Sequence, residues 1–157
     1  MQNGKFGNVV PELAACSRRA AAEGAVLLKN EDNVLPFLDG EYISVFGRIQ
    51  FDFYRSGTGS GGAVNAPYTK NLVDGFREIP GLCINEELVS VYEAWREEHP
   101  ADDGGGVWAG EPWNQEDMPL TGEIVRAARE KSEKAIYVIG RTAGRIKTIR
   151  PRKEATA

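Results

Sequence analysis

The chain has 157 residues, 41% of them hydrophobic, which is enough for one domain with its own core and too few for two comfortable domains. It contains no apolar run near the roughly 20 residues of a membrane span, and no apolar segment follows its start as in a signal peptide. Two cysteines, Cys16 and Cys83, are too few for a disulfide framework. We therefore expect buried thiols, no membrane association and a cytoplasmic location.

The net charge of −4 conceals two regions of opposite sign. Residues 1–144 carry 22 acidic and 14 basic side chains, whereas residues 145–157 carry five basic and one acidic side chain. A basic tail can bind nucleic acid. This tail is short, lacks aromatic residues and follows an acidic region that would repel phosphate, so no nucleic-acid partner is expected.

The first part of the chain predicts a helix and then strands. A helix is predicted over Pro11–Glu23, with proline in its first turn and Gly24 at its end. The apolar run at residues 25–28 indicates a short early strand. The β-branched and aromatic run YISVF, Tyr42–Phe46, predicts a buried strand, and a stretch rich in Gly, Ser and Thr follows at residues 55–63.

The rest of the chain continues this alternation of strands and helices. The predicted elements are a helix capped by Thr69, a strand at residues 82–84, a helix capped by Asn85, a loop over residues 101–119, a helix from Thr121 to about Lys131, and a strand, AIYVI, at residues 135–139. This order predicts an α/β fold, a three-layer sandwich in which helices flank a mostly parallel sheet. The continuous apolar strands indicate burial on both faces. We expect the sheet to be incomplete at its C-terminal edge, because the chain ends where a fourth crossover should begin.

Ligands of an open parallel sheet bind beyond the carboxyl ends of its strands, and the glycine-rich loop RSGTGSGG lies there. Its glycines fit G-x-G-x-x-G, so a Rossmann-like nucleotide binder is one alternative. The context argues against it. The preceding strand ends at Phe46, ten residues too early for the required tight turn, and Pro67 intervenes before the next helix.

A second segment, ADDGGGVWAGEPWNQEDMP, combines tryptophans with carboxylates. Proteins bind sugars with such residues, because aromatic rings pack on C–H faces and acids accept bonds from hydroxyl groups. Trp108 and Trp113 are therefore candidates for sugar stacking; alternatively, they only fold this loop onto the sheet. His99 is the only histidine and the cysteines are far apart, so no metal site and no cofactor are expected.

One combination of segments is specific. The run AAAEGAVLLKNEDNVLPF, followed by ISVFGRIQ, RSGTGSGGAVN and KNLVDGFRE, resembles the α/β sandwich domain of family-3 glycoside hydrolases, the family of many β-glucosidases. The segments EPWNQEDMPL and AIYVIGRTAG are also similar. The resemblance covers residues 8–144 and leaves residues 145–157 as a basic tail, which we expect to be disordered. It implies a β-glucoside-type substrate and a separate (β/α)₈ barrel that supplies the nucleophilic aspartate.

The resemblance also implies roles for individual residues. In the family, the glycine-rich loop faces the active site of the barrel, so the residues expected at the substrate edge or at the domain interface are Arg55, Ser56, Thr58, Ser60 and Asn65. The sandwich domain commonly supplies the general acid/base glutamate after the strand AIYVI. The matching position here is Arg145, which cannot donate a proton near neutral pH. We therefore expect no catalytic residue, and no hydrolysis by this chain alone.

The tail suggests a cause for this substitution. A family-like Glu-Asp-Lys-Asp-Asn coding stretch, read one nucleotide out of register, encodes RIKTI, so we hypothesise that residues 145–157 arise from a frameshift that truncates the domain. Sequencing the source gene tests this. An edge strand left unpaired by truncation also predicts self-association. A carbohydrate-binding or interaction module remains the main alternative to an enzyme fragment.

Overall fold

A computed structural model of the protein describes residues 10–53, 68–106 and 110–142. The chain forms two compact units. One unit comprises Met1–Phe37 and Asn65–Thr69, and the other comprises Leu38–Val64 and Lys70–Ala157. The predicted boundary between a domain at residues 8–144 and a tail at 145–157 falls outside the described residues and stays a prediction.

In the described part of the first unit, the α-helix α1 spans Pro11–Glu23, with the predicted bounds, and a single 3-10 turn lies at Glu31–Asn33. No residue of α1 is buried. The predicted burial of Cys16 is therefore wrong, because the whole helix surface is exposed. The early strand predicted at residues 25–28 is not formed either: Val26, Leu27 and Leu28 are exposed and lie outside the sheet. An apolar run becomes a strand only where a neighbouring strand completes its backbone hydrogen bonds.

Among the residues that the structure describes, the second unit is built on a three-stranded parallel sheet with the strand order β2-β1-β3. The strands are β1 at Tyr42–Phe46, β2 at Cys83–Ile84 and β3 at Lys134–Tyr137. The helices are α2 at Leu72–Arg77, α3 at Glu86–Glu98 and α4 at Gly122–Lys131. Ile43 of β1 lies opposite Ile84 of β2 and Lys134 of β3, so β1 is the central strand. The predicted α/β fold is confirmed.

The position of β1 explains the layers of the fold. Residues 43–50 are all buried, which places both faces of β1 in the core. The chain adds β2 on one side of β1 and β3 on the other. Because parallel crossovers are right-handed, α2 belongs on one face of the sheet and α3 and α4 on the opposite face. On that second face the buried cluster comprises Phe46, Leu88, Tyr92, Met118 and Ala128.

The helix caps follow the sequence in part. Asn85 accepts a backbone N–H bond at the start of α3, as predicted, and Thr121, predicted as the first residue of its helix, instead accepts such a bond as the cap of α4. Helix α2 is capped by Asn71, which accepts a 2.8 Å bond from the backbone N–H of Asp74, and not by Thr69. Both residue types suit an N-cap, and the backbone path decides which of them precedes the first helical turn.

The edge strands are less buried than predicted. The strand AIYVI was expected to be buried on both faces, but Ala135, Tyr137 and Ile139 are exposed. Helix α4 packs on β1, so the outer strand keeps an open face. Cys83 is only half-buried for a similar reason, because β2 is the other edge. Within the described ranges, the helices are too short or too polar to cross a bilayer.

Candidate functional site

The carboxyl end of β1 turns sharply at Gly47. This residue has φ of 91°, and a Cβ atom there would lie 2.3 Å from the carbonyl oxygen of Val138, so only glycine fits. Its backbone N–H donates a 2.8 Å hydrogen bond to the hydroxyl oxygen of Tyr92. Burial raises the pKa of Tyr92 to about 12, so the phenol is neutral at physiological pH. These contacts hold the end of β1 close to the segment that follows β3.

Arg48 follows the glycine and is 1% exposed, although it carries a charge. Its Nε donates to Asp52 Oδ2 at 3.0 Å, its Nη1 to the carbonyl oxygen of Glu116 at 2.9 Å, and its Nη2 to that of His99 at 2.7 Å. The guanidinium also lies 5.0 Å from the ring centre of Trp95. A buried charge needs such partners to offset its desolvation. One side chain therefore joins three separate segments of the chain.

Asp52 joins this arginine to a second one. Its Oδ1 accepts a 2.5 Å bond from Arg96 Nη2, and its Oδ2 accepts a 3.1 Å bond from Arg96 Nε as well as the bond from Arg48. Burial raises the pKa of the Asp52 carboxyl, but the hydrogen bonds from the two arginines outweigh this and leave the pKa below its usual value. We call Arg48, Asp52 and Arg96 the ionic triad. Arg48 and Asp52 lie in the described segment that precedes residues 54–67, and Arg96 on α3 holds this segment in place.

Asp117 attaches the acidic loop to the sheet. Its Oδ1 accepts 2.9 Å bonds from the backbone N–H groups of Arg48 and Met118, and its Oδ2 accepts a 3.0 Å bond from the hydroxyl of Tyr137. Burial and this bond to Asp117 raise the pKa of Tyr137. Both oxygens of Asp117 are therefore occupied by the protein itself. This carboxylate has a structural role in the described structure.

Other acids of the loop also have local partners. Asp102 and Asp103 accept bonds from the backbone N–H groups of Gly104 and Gly105, each at 2.8 Å. Such bonds are typical of turns stabilised by aspartate. Among the described residues, no group of three or more His, Cys, Asp or Glu side chains could hold a metal ion.

Trp113 lies near the end of β3, where a ligand of a parallel sheet is expected. Thr142 holds its segment there, donating from its backbone N–H to the carbonyl oxygen of Trp113 at 2.9 Å. The Trp113 side chain is 42% exposed, and the guanidinium carbon of Arg141 lies 5.0 Å from its ring centre. One face of the ring is thus covered by an arginine. Sugar stacking on Trp113 stays a prediction, and Trp108 lies outside the described residues.

The structure leaves most of the predicted site residues undescribed. Those outside the described ranges are Arg55, Ser56, Thr58, Ser60, Asn65 and Arg145. The sequence interpretation missed the ionic triad. A signal was present, since FGRIQFD places an arginine two residues after the end of a buried strand and an aspartate four residues after that arginine. The third member, Arg96, is 44 residues away from Asp52 in sequence and could not be assigned to it by spacing.

Comparison with known proteins gives the chain clear relatives. No family model matches it. It is 51% identical over 123 residues to a β-glucosidase of Ruminococcus albus and 33% identical over 144 residues to β-glucosidase A of Butyrivibrio fibrisolvens. These homologues are β-glucosidases. The matches cover 78% and 91% of this chain but only 13% and 16% of the relatives, so the chain spans a small part of their length.

Solved structures lead to the same group of enzymes. A β-glucosidase from Paenibacillus barengoltzii matches with a TM-score of 0.82 and 57% identity, over 89% of this chain and 15% of the enzyme. β-Glucosidase 3B of Thermotoga neapolitana, solved in complex with α-D-glucose, matches with a TM-score of 0.70 and 28% identity, over 91% of this chain and 20% of the enzyme. The fold described above is therefore shared with one segment of much longer β-glucosidases.

Proposed function

We propose that this chain is the α/β sandwich domain of a retaining family-3 glycoside hydrolase of the β-glucosidase type, and that it hydrolyses no glycoside alone. The observation that carries the proposal is the similarity to the Paenibacillus barengoltzii enzyme, with 57% identity and a TM-score of 0.82 over 89% of the chain. The substrate of the whole enzyme would be a β-glucoside. The partner of this domain would be a (β/α)₈ barrel.

The chemistry of retaining hydrolysis supports the inactivity of the isolated chain. The reaction needs a nucleophilic carboxylate and an acid/base carboxyl about 5 Å apart across the scissile bond. The family resemblance assigns the nucleophile to the barrel. It assigns the acid/base position to Arg145, whose guanidinium keeps its proton at neutral pH.

The contribution proposed for this domain is therefore one of positioning. The ionic triad and Asp117 hold the carboxyl end of β1, and the glycine-rich loop follows this part of the chain in the sequence. We propose that Arg55, Ser56, Thr58, Ser60 and Asn65 contact the substrate edge or the barrel from that loop. Binding energy from such contacts accelerates a reaction by orienting the substrate.

A domain exchange tests this proposal. Residues 10–142 replace the matching segment of the Paenibacillus barengoltzii enzyme, whose own residues continue afterwards. We expect the chimera to hydrolyse an aryl β-glucoside and the isolated 157-residue chain to show no hydrolysis. A chimera that is folded by circular dichroism but lacks activity would contradict the proposed domain role. Turnover by the pure isolated chain would contradict its proposed inactivity.

A matched chimera tests the position of Arg145. In this variant the enzyme residue that aligns with Arg145 is replaced by arginine, and the rest of the chimera is unchanged. Losing a general acid/base should lower kcat by about 10²- to 10⁴-fold. Unchanged kcat would show that the acid/base group lies elsewhere. Added azide, a small external nucleophile, should partly restore turnover if only the acid/base group is missing.

The exposed ring of Trp113 supports a second candidate, a carbohydrate-binding module. Titration calorimetry of the chain with glucose and cellobiose tests it, with Trp113→Ala as the matched variant. Binding that the variant abolishes would favour this candidate. NAD in the same assay tests the nucleotide alternative. β1 ends at Phe46, as predicted, so the G-x-G-x-x-G run, which begins at Gly57, does not directly follow the strand.

A further inference from the structure

The segment around β3 alternates between exposed and half-buried residues. From residue 133 to residue 141, every odd-numbered residue is exposed and every even-numbered residue is half-buried. The exposed set is Glu133, Ala135, Tyr137, Ile139 and Arg141. β3 itself covers four of these residues; Glu133 lies at a bend directly before it and residues 138–141 directly follow it, and the alternation in burial continues on both sides. Such a row of side chains can make cross-strand contacts if another strand lies alongside.

The backbone of the same segment has an open edge. The N–H of Val138 donates to the carbonyl oxygen of Phe46 at 2.8 Å, so even-numbered residues direct their backbone groups towards β1. By alternation, the odd-numbered residues direct theirs outward. In the part of the chain that the structure describes, no strand pairs with this outer side. The segment also lacks proline, one of the residues that block such edges.

We propose that this edge pairs with the same edge of a second copy of the chain, as an antiparallel ladder centred on Tyr137. In this register Glu133 lies opposite Arg141 of the other copy, and Ala135 lies opposite Ile139. Two-fold symmetry makes each of these contacts twice. The row therefore complements itself, with opposite charges at its ends, apolar side chains inside them and tyrosines at the centre.

The charges select this register over its neighbours. Outward backbone groups must meet outward groups, so an odd-numbered residue can lie opposite only another odd-numbered residue. Moving the centre by one residue towards either end of the strand would place Glu133 opposite Ile139, or Arg141 opposite Ala135. Either shift replaces two ion pairs by charges facing apolar side chains. Both charged residues are exposed; in the described structure the Arg141 guanidinium donates to the carbonyl oxygen of Gly140 and lies over the ring of Trp113.

A charge exchange tests the proposed pairing in the full 157-residue chain. Sedimentation velocity over a wide concentration range should show a monomer–dimer equilibrium. Glu133→Arg places arginine opposite arginine, and Arg141→Glu places glutamate opposite glutamate. Each should weaken dimerisation by about tenfold, because two attractive pairs become repulsive. The double variant Glu133→Arg/Arg141→Glu restores both pairs in reversed order and should return the dissociation constant to about the original value.

Two controls separate the pairing from general effects. Glu97→Arg makes the same charge change on an exposed position of α3 and should leave the dissociation constant unchanged. Thermal unfolding shows whether each variant is folded; the double variant tests pairing even if one single variant is unstable. A monomer at all concentrations would overturn the proposal, as would a dimer that the single variants do not weaken or the double variant does not rescue. These outcomes are independent of the glycosidase proposal, which the chimeras test.

Discussion

At the residue scale, the strongest constraint is the burial of Arg48. A guanidinium that is 1% exposed is stable in a protein only if carboxylates and carbonyl oxygens replace its water. Asp52 supplies the carboxylate and shares it with Arg96. Removing the Asp52 carboxylate should therefore lower the free energy of unfolding much more than removing one of the exposed ion pairs of this chain, which water and salt screen.

Replacing Asp52 with asparagine should lower the free energy of unfolding near neutral pH by about 2 kcal/mol, somewhat less than for a fully buried pair because asparagine keeps one acceptor oxygen. The folded-state pKa of Asp52 is below its unfolded value. Its contribution is therefore present above about pH 4 and lost as the pH falls through the folded-state pKa. Urea unfolding of the original chain and of the Asp52→Asn variant should show that the difference between their free energies of unfolding becomes smaller at acidic pH.

A surface variant provides the control for this prediction. Glu23 pairs with Arg19 at 3.4 Å, and both side chains are more than 70% exposed. Glu23→Gln should change the free energy of unfolding by less than about 0.5 kcal/mol. If Asp52→Asn had an equally small effect, or one that did not vary with pH, the ionic triad would not stabilise the fold.

At the element scale, local signals predicted the helices better than the strands. Proline and glycine determine the ends of α1, and side-chain caps start α3 and α4, because these effects act within one turn. The extent of β3 and its exposed face depend on where α4 packs, which no local pattern contains. Glycine is a further case: the effect of replacing a glycine depends on its backbone conformation and on the atoms that surround it in the fold.

Two glycine substitutions should have opposite effects. Gly47→Ala should destabilise the fold by about 3 kcal/mol or more, because φ is 91° and the added Cβ would meet the carbonyl oxygen of Val138. Gly75 lies inside α2 with no atom within 4 Å of such a Cβ, so Gly75→Ala should stabilise by about 0.5–1 kcal/mol. Thermal or urea unfolding measures both. Equal effects at the two positions would contradict the view that the fold requires glycine at position 47 and not at position 75.

At the scale of the whole molecule, the two units differ in burial. None of residues 10–36 is buried, whereas residues 43–50 are buried without interruption. An isolated helix of about 12–15 residues is marginally stable in water, and α1 has 13 residues and no side-chain cap. Stability should therefore be distributed unevenly along the chain.

Native-state hydrogen exchange should show this difference. We expect the amides of α1 to exchange through local opening that depends little on denaturant. The amides of β1 should exchange only through global unfolding, with a strong denaturant dependence. Protection of α1 equal to that of β1 would mean that the helix is stabilised by contacts that its exposed surface does not indicate.

The sequence alone determined the alternation of helices and strands, most helix ends and the likeness to β-glucosidases, because capping, periodicity and motif order are properties of neighbouring residues. The functional expectations rest on the glycine-rich loop and on Arg145, and the chimeras described above test them. Only the tertiary structure showed that Arg96 pairs with Asp52, that Asp117 binds residues of the sheet, and that one face of β3 is open. Those facts depend on which segments pack together, and residues far apart in sequence hold no local record of their contacts.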